Sequence, residues 1–311
     1  MGGISVIIPV FNVAEYLPDC LDSLVGAGLP RGVEIILVND GSTDGSAAIC
    51  RDFADAHGAV FVRQKNAGAA AARNAGIQLA RGDYLLFVDG DDLVYNGAIG
   101  RLAAILENAA PVDINFLNAD IINANGHVKK WSYRYNNDKL GENASLAYIC
   151  ATSRFPISPC IKLLRRDFVM ENDIFFTERI LCEDVDHTIA ALLAAKTFAA
   201  IDIPYYIARK NRPGSVMTDP KNAYRRFKSV LHIIGKWREN PAAAPMLAVQ
   251  YLYLLGMYGK LSKNQQAQHR ADMRRLRGIM KGGRPRIFLP LRIFTGLFGI
   301  KLSSIIFSKL F

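Results

Sequence analysis

A chain of 311 residues, half of them hydrophobic and 21% charged, can bury a full core, which excludes a disordered tail or a collagen-like repeat. Its formal charge of +10 is uneven: Met273 to Phe311 holds nine Lys or Arg and no Asp or Glu, which leaves +1 for everything before. The nearly neutral body argues against a nucleic-acid binder. Five scattered cysteines without CxxC spacing argue against a disulfide framework or a zinc site and fit a reducing cytosol.

The chain begins on a strand-like ISVIIPVFN with no basic n-region, long apolar h-region or cleavage site, so no secretory signal is read. Short β-branched runs then alternate with helical periodicity. SVIIPV (Ser5 to Val10), VEIILVND (Val33 to Asp40), AVFVR (Ala59 to Arg63) and YLLFVD (Tyr84 to Asp89) read as strands buried on both faces. Helices are expected over Ala14 to Val25, Thr43 to Ala56 and Gly68 to Ala80. This alternation predicts an α/β fold with a mostly parallel central sheet and helices on both faces. Ligands bind beyond the carboxyl ends of such strands, which puts PVFN, NDGSTD and DGDD on one rim.

After Asp113 the pattern becomes mixed: DINFLNADII, HVKKWSYRY and SPCIKLLRRDFV, a helix over LCEDVDHTIAALLAA (Leu181 to Ala195), and a strand-like FAAIDIPYYIAR. From Asp219 the chain reads as helices, AYRRFKSVLHIIGKW, MLAVQYLYLLGMYGKL and NQQAQHRADMRRLRGIM. The expected division is a domain over 1–219, with halves 1–112 and 113–219, and a helical extension over 220–311 whose basic amphipathic tail spans 273–311.

Several motifs carry chemistry. Asp40 closes a strand in VNDGSTDGS, where a carboxylate can accept bonds from a ribose hydroxyl or a base N–H while Thr43 or Asp44 caps the next helix; a plain turn and cap is the alternative. QKNAGAAAARNAG joins Asn66, Arg73 and Asn74 to small residues that allow close approach, and a guanidinium suits a phosphate or a carboxylate. In DGDD, Asp89, Asp91 and Asp92 would repel one another unless a hard divalent cation, Mg²⁺ or Mn²⁺, sits among them. CEDVDHT sets Glu183 and Asp184 in a helix's first turn, with His187 one turn on, and could supply a general base. KNRPGSVMT reads as an anion clamp or as a simple surface turn.

Taken in this order, SVIIPVFN, VNDGSTDGS, NAGAAAARNAG, FVDGDDL, CEDVDHT and RPGSVMT resemble glycosyltransferase family 2, inverting enzymes of the Rossmann-like GT-A fold. The resemblance covers roughly residues 4 to 218. It implies a nucleotide pocket edged by Pro9, with Asp40 reading the base and Asn66, Arg73 and Asn74 making further nucleotide contacts. Asp89 and Asp91 match the DxD motif, Asp91 as direct metal ligand and Asp89 leaning toward the ribose, while Asp92 is expected as a helix cap or supporting residue. Asp184 matches the catalytic base, and Arg212 and Ser215 match contacts to the donor's phosphates. The implied donor is a nucleotide-sugar, above all a UDP-sugar, and the acceptor a glycan or lipid-linked hydroxyl in surface polysaccharide, capsule or lipopolysaccharide synthesis. The His with which some members complete the metal shell is missing from YYIARKNRPGS.

A sugar nucleotidyltransferase would need a Gly-rich basic phosphate loop after the first strand, which PVFNVAEYLP does not supply. A non-catalytic nucleotide-sugar-binding scaffold would be expected to lose the ED acid or the DxD, and both are present. Read as a helix, Ile287 to Phe311 aligns Arg292, Thr295, Gly296, Gly299 and Ser303 on one stripe, with Phe and Ile over most of the rest. Lysines and a proline make it a poor span, so an interfacial helix on anionic lipid is expected, peripheral on the cytoplasmic face of the membrane; a tail packed on the body or in a dimer is the alternative.

Overall fold

Ile4–Val10 forms a strand because its β-branched, apolar run fills a position with neighbours on both sides and packing on both faces. This strand, β1, is buried almost throughout. The computed structural model describes residues 3–26, 29–123, 125–131, 135–140, 146–149, 156–210, 219–282, 300 and 303–304. In chain order β1 is followed by α1 (Leu17–Val25), β2 (Val33–Asn39), α2 (Ser46–His57), β3 (Val60–Arg63), α3 (Ala69–Leu79) and β4 (Tyr84–Phe87). Next come β5 (Leu93–Val94), α4 (Ala98–Asn108), β6 (Ile114–Ile122), β7 (Val128–Trp131), α5 (Leu146–Ile149), β8 (Lys162–Arg165) and α6 (Arg166–Glu171). The chain continues through α7 (Glu183–Ala194), β9 (Phe198–Arg209), α8 (Ala223–Trp237), α9 (Ala244–Gly259), α10 (Lys263–Gln268) and α11 (Arg270–Leu276).

The strands join in one sheet, in the order β3-β2-β1-β4-β8-β6-β9-β5, with β7 beside β6. β3, β2, β1 and β4 are all parallel, as their alternation with helices predicts. Beyond β4 the sheet is mixed: β8 runs antiparallel to both β4 and β6, and β9 is parallel to β6. β3 is only half-buried, unlike the expectation of a strand covered on both faces, because it is the sheet's edge. The strand order reverses between β1 and β4, and in open parallel sheets ligands bind beyond the carboxyl ends at such a switch point. α3 packs against β1 and β2, so closely that a Cβ added at Gly76 would lie 2.3 Å from Ile7 Cγ2.

Two compact units divide the chain: residues 1–145, 156–179 and 190–212 in the first, and 146–155, 180–189 and 213–311 in the second. The first holds the sheet. In the second, α8 packs on α9, with Phe227, Ile233, Ile234, Met246, Tyr251 and Leu254 buried. The single helix expected over NQQAQHRADMRRLRGIM is broken into α10 and α11 at His269, whose ring meets the Tyr224 hydroxyl and the Asp272 carboxylate.

Candidate active site

The ends of β1 to β4 are tied to one another by main-chain bonds. Asp40 N donates to Val10 O at 2.8 Å, Gln64 N to Asn39 O at 2.9 Å and Val88 N to Ile7 O at 3.1 Å. The loops beyond them therefore share one rim. Asn12, in left-handed backbone, accepts a bond from Thr43 N, while its own N–H donates to Ser42 Oγ. Asp44 uses both oxygens, accepting from Ala14 N and Ser46 N. Those engagements explain why α2 starts at Ser46 and not at Thr43.

Asp40 is 2% exposed, and its carboxylate accepts three bonds: Oδ1 from Gln64 Nε2 and Ala67 N, Oδ2 from Gly68 N, all at 2.7–2.8 Å. It holds the QKNAG turn that leads into α3. Gly41 makes this approach possible, with φ of 73° and an added Cβ only 2.8 Å from Asn66 N. Asn66 itself is exposed at the rim, and Pro9 is half-buried near the end of β1, beside Val38.

Arg73 points from α3 into this rim and is 6% exposed. Its guanidinium pairs with Asp89 Oδ1 at 2.7 Å and lies 5.2 Å from the centre of the Phe176 ring. The neighbouring Asn74 exchanges two bonds with the Phe176 main chain, Nδ2 to the carbonyl and N–H to Oδ1. Here both side chains hold protein parts together: Arg73 secures the acidic loop, and Asn74 secures the segment after α6.

The acidic loop turns tightly, Asp92 N donating to Asp89 O at 3.0 Å. Asp92 is buried; it caps no helix, because Tyr206 Oη donates to Oδ2 at 2.5 Å and Arg209 N donates to Oδ1 at 2.6 Å. The same Tyr206 oxygen accepts from Asp89 N at 3.3 Å. Arg209 reaches on to Asp19 at 2.9 Å and lies over the Tyr16 ring. Burial, then the charges of Asp89 and Asp91, push the Asp92 carboxyl up to about 7, against the bonds from Tyr206 and Arg209. Asp91 lies half-buried between these two locked carboxylates.

Asp92 thus bears the charge of its two neighbours, and oxygen donors of this kind fit a hard divalent cation. Among the described residues no group of three or more His, Cys, Asp or Glu is arranged to hold a metal.

In the second unit, Asp184 occupies the first turn of α7, half-buried, with Oδ1 accepting from Val185 N at 2.9 Å. Cys182, just before it, is held at φ of 62°, a left-handed conformation that a side chain seldom adopts. Asp186, 2% exposed, accepts from Trp237 Nε1 at 2.6 Å and Lys236 Nζ at 2.8 Å, clamping α7 to α8. His187 is buried at 1% and not exposed on the helix start. Arg212 and Ser215 lie outside the described residues.

Sequence reasoning missed Tyr206, Arg209, Phe176, Asp186 and Trp237. PYYIAR reads as an apolar strand and FKSVLHIIGKW as an amphipathic helix, and neither pattern marks which polar tip meets an acid more than a hundred residues away, or fifty. The nearest thing to a signal is the third carboxylate of DGDD, which needs a partner once the DxD pair is assigned.

Residues 5–172, more than half of the chain, match the family model described as Glycosyl transferase family 2. The chain belongs to that family. The uncharacterized glycosyltransferase EpsJ of Bacillus subtilis is 34% identical over 229 residues, 70% of this chain and 63% of EpsJ. A poly(ribitol-phosphate) beta-glucosyltransferase of Bacillus spizizenii is 32% identical over 242 residues, 74% of this chain and 36% of that protein. The matched region therefore spans less than two thirds of either relative. Among solved structures, S. aureus TarS 1-349 in complex with UDP-GlcNAc superposes with a TM-score of 0.69 at 21% identity, covering 97% of this chain and 89% of that fragment. That likeness shows the fold: this family 2 chain has the GT-A architecture, with the helical C-terminal region present.

Proposed function

We propose that this chain is an inverting glycosyltransferase that moves a sugar from a nucleotide-sugar, a UDP-sugar before others, to a hydroxyl of a glycan or lipid-linked acceptor in surface polysaccharide assembly. The observation that carries the reading is the rim: the ends of parallel strands bring Asp40 and the Asp89 to Asp92 loop to the same edge of the sheet, at its switch point, in a chain of glycosyltransferase family 2. The UDP-GlcNAc held by TarS supports the donor class, and the name of the poly(ribitol-phosphate) relative supports a surface-polymer acceptor.

In this reading Asp40 organises the base end of the donor site, with Pro9 and Asn66 along its edge. Asp91 and Asp89 are the residues that would hold Mn²⁺ or Mg²⁺, whose positive charge would offset that of the departing diphosphate. Arg73 and Tyr206 keep the loop that carries these acids in one shape. Arg212 and Ser215 are assigned to the diphosphate by resemblance to the family's motif.

Asp184 takes the proton from the acceptor hydroxyl. The acceptor oxygen then bonds to the anomeric carbon as the bond to the nucleoside diphosphate breaks and the diphosphate leaves with the electron pair, inverting the configuration. A thermal-shift and donor-hydrolysis screen of nucleotide sugars with Mn²⁺ tests the reading. At least one UDP-sugar should raise the melting temperature and release UDP, both effects being lost in EDTA. A chain that no nucleotide sugar stabilises, or that turns one over at full rate in EDTA, would refute the donor or the metal assignment.

A further inference from the structure

The second unit carries a charge pattern that sugar transfer does not use. α11 turns Met273 and Leu276 inward, at 0% and 3% exposure, while Arg270, Arg274 and Arg277 recur at i, i+4 and i+7 with all three side chains exposed. Lys281, also exposed, follows one turn later on the 3₁₀ continuation Arg277–Gly282. Asp272 is the one acid on this stretch, and it is engaged by Arg275 and His269. None of the four cations forms an ion pair with any described residue. Three cations aligned on one face, with a fourth four residues beyond them, repel one another when unneutralised, and a plain solvated face would gain from interspersed acids. This one has none from Met273 to the end of the sequence.

We propose that Arg270, Arg274, Arg277 and Lys281 form a phosphate-binding stripe that seats the helical unit on an anionic lipid surface. Charge complementarity selects the occupant. Lipid phosphates present negative charge as a plane, which several exposed cations on one short segment can meet together. The sequence that follows adds five further cations and no acid, while Ser303 and Ser304 within it are buried at 0% and 2%, so the exposed cations of the stripe, and not those serines, are what can meet the lipid. Among the described residues no helix is long and apolar enough to cross a membrane. Arginine supports this use, since its planar fork can grip two phosphate oxygens.

The test is sedimentation of the full chain with vesicles of phosphatidylcholine alone or with phosphatidylglycerol added. The wild type should bind the anionic vesicles and leave the neutral ones, and added salt should release it. With each cation contributing roughly fivefold near such a surface, the quadruple change Arg270→Gln, Arg274→Gln, Arg277→Gln, Lys281→Gln should weaken binding by nearly three orders of magnitude, about 600-fold. Its melting temperature and donor hydrolysis should be unchanged, which separates this inference from the transferase reading. Undiminished binding of the quadruple variant would overturn the proposal, as would equal binding to neutral vesicles. Release of the stripe's hold by millimolar inorganic phosphate alone would point to a free anion, and binding to duplex DNA in place of vesicles would point to nucleic acid; either would also overturn it.

Discussion

Tyr206 shows how much one hydroxyl can do at this rim. It donates to Asp92, accepts from Asp89 N, and so spans the ends of the acidic turn from a strand more than a hundred residues away. Tyr206→Phe removes both bonds and leaves the buried Asp92 with Arg209 N alone. The expected cost is roughly 1–3 kcal/mol of stability, read by urea titration, together with weaker UDP binding in Mn²⁺ by calorimetry. Unchanged affinity would mean that the loop keeps its shape without the tyrosine. Asp113 permits a pH prediction with a definite sign. Burial opposes its charge, but the Arg165 guanidinium and the Lys196 and Thr197 N–H groups outweigh that and hold the carboxyl below its usual value. A carboxyl depressed in the folded state stabilises above its unfolded value near ~4, and that stabilisation is lost as pH falls through the lower folded value. Asp113→Asn should therefore lower the melting temperature at about pH 7, and the gap from wild type should close toward about pH 2. A gap that persists in acid would assign the effect to packing.

At the scale of elements, β1 to β4 and α1 to α3 were legible because each is a short apolar run or a 3.6-residue pattern bounded by Gly, Pro or Asp. Their starts were less so. α1 begins at Leu17, beyond the expected Ala14, with Pro18 in its first turn, and α2 waits for Ser46 because Thr43 and Asp44 are engaged with Asn12 and Ala14. Arg73 and Asn74 stand out in the sequence as polar residues among small ones, yet nothing local in NAGAAAARNAG shows that one meets Asp89 and the other Phe176. Those contacts depend on the fold closing first. The fit of α3 on β1 offers a clean test: in Gly76→Ala the new Cβ would collide with Ile7, and overpacking of this kind costs roughly 1–3 kcal/mol. A melting temperature equal to that of the wild type would show that α3 can slide. The Asp186 clamp makes the same kind of claim for α7. If Asp184 is the base as proposed, Asp186→Asn should lower turnover with the donor's KM little changed, because it loosens the hold of Lys236 and Trp237 on the helix that carries Asp184.

For the whole molecule, the charge asymmetry visible in the composition has a physical location in the second unit, where α11 displays its cations. The parallel half of the sheet supplies what the donor reading needs, and the mixed half supplies the strand that buttresses it. The claim on which the account rests is that Asp184 is the base and the acidic rim is the donor site. The most direct measurement is single-turnover transfer or donor hydrolysis by Asp184→Asn, beside its affinity for UDP in Mn²⁺. The account predicts affinity within about twofold of wild type and a rate lower by roughly two to four orders of magnitude. Retained turnover, or a loss of UDP binding as large as the loss of rate in a folded variant, would contradict it.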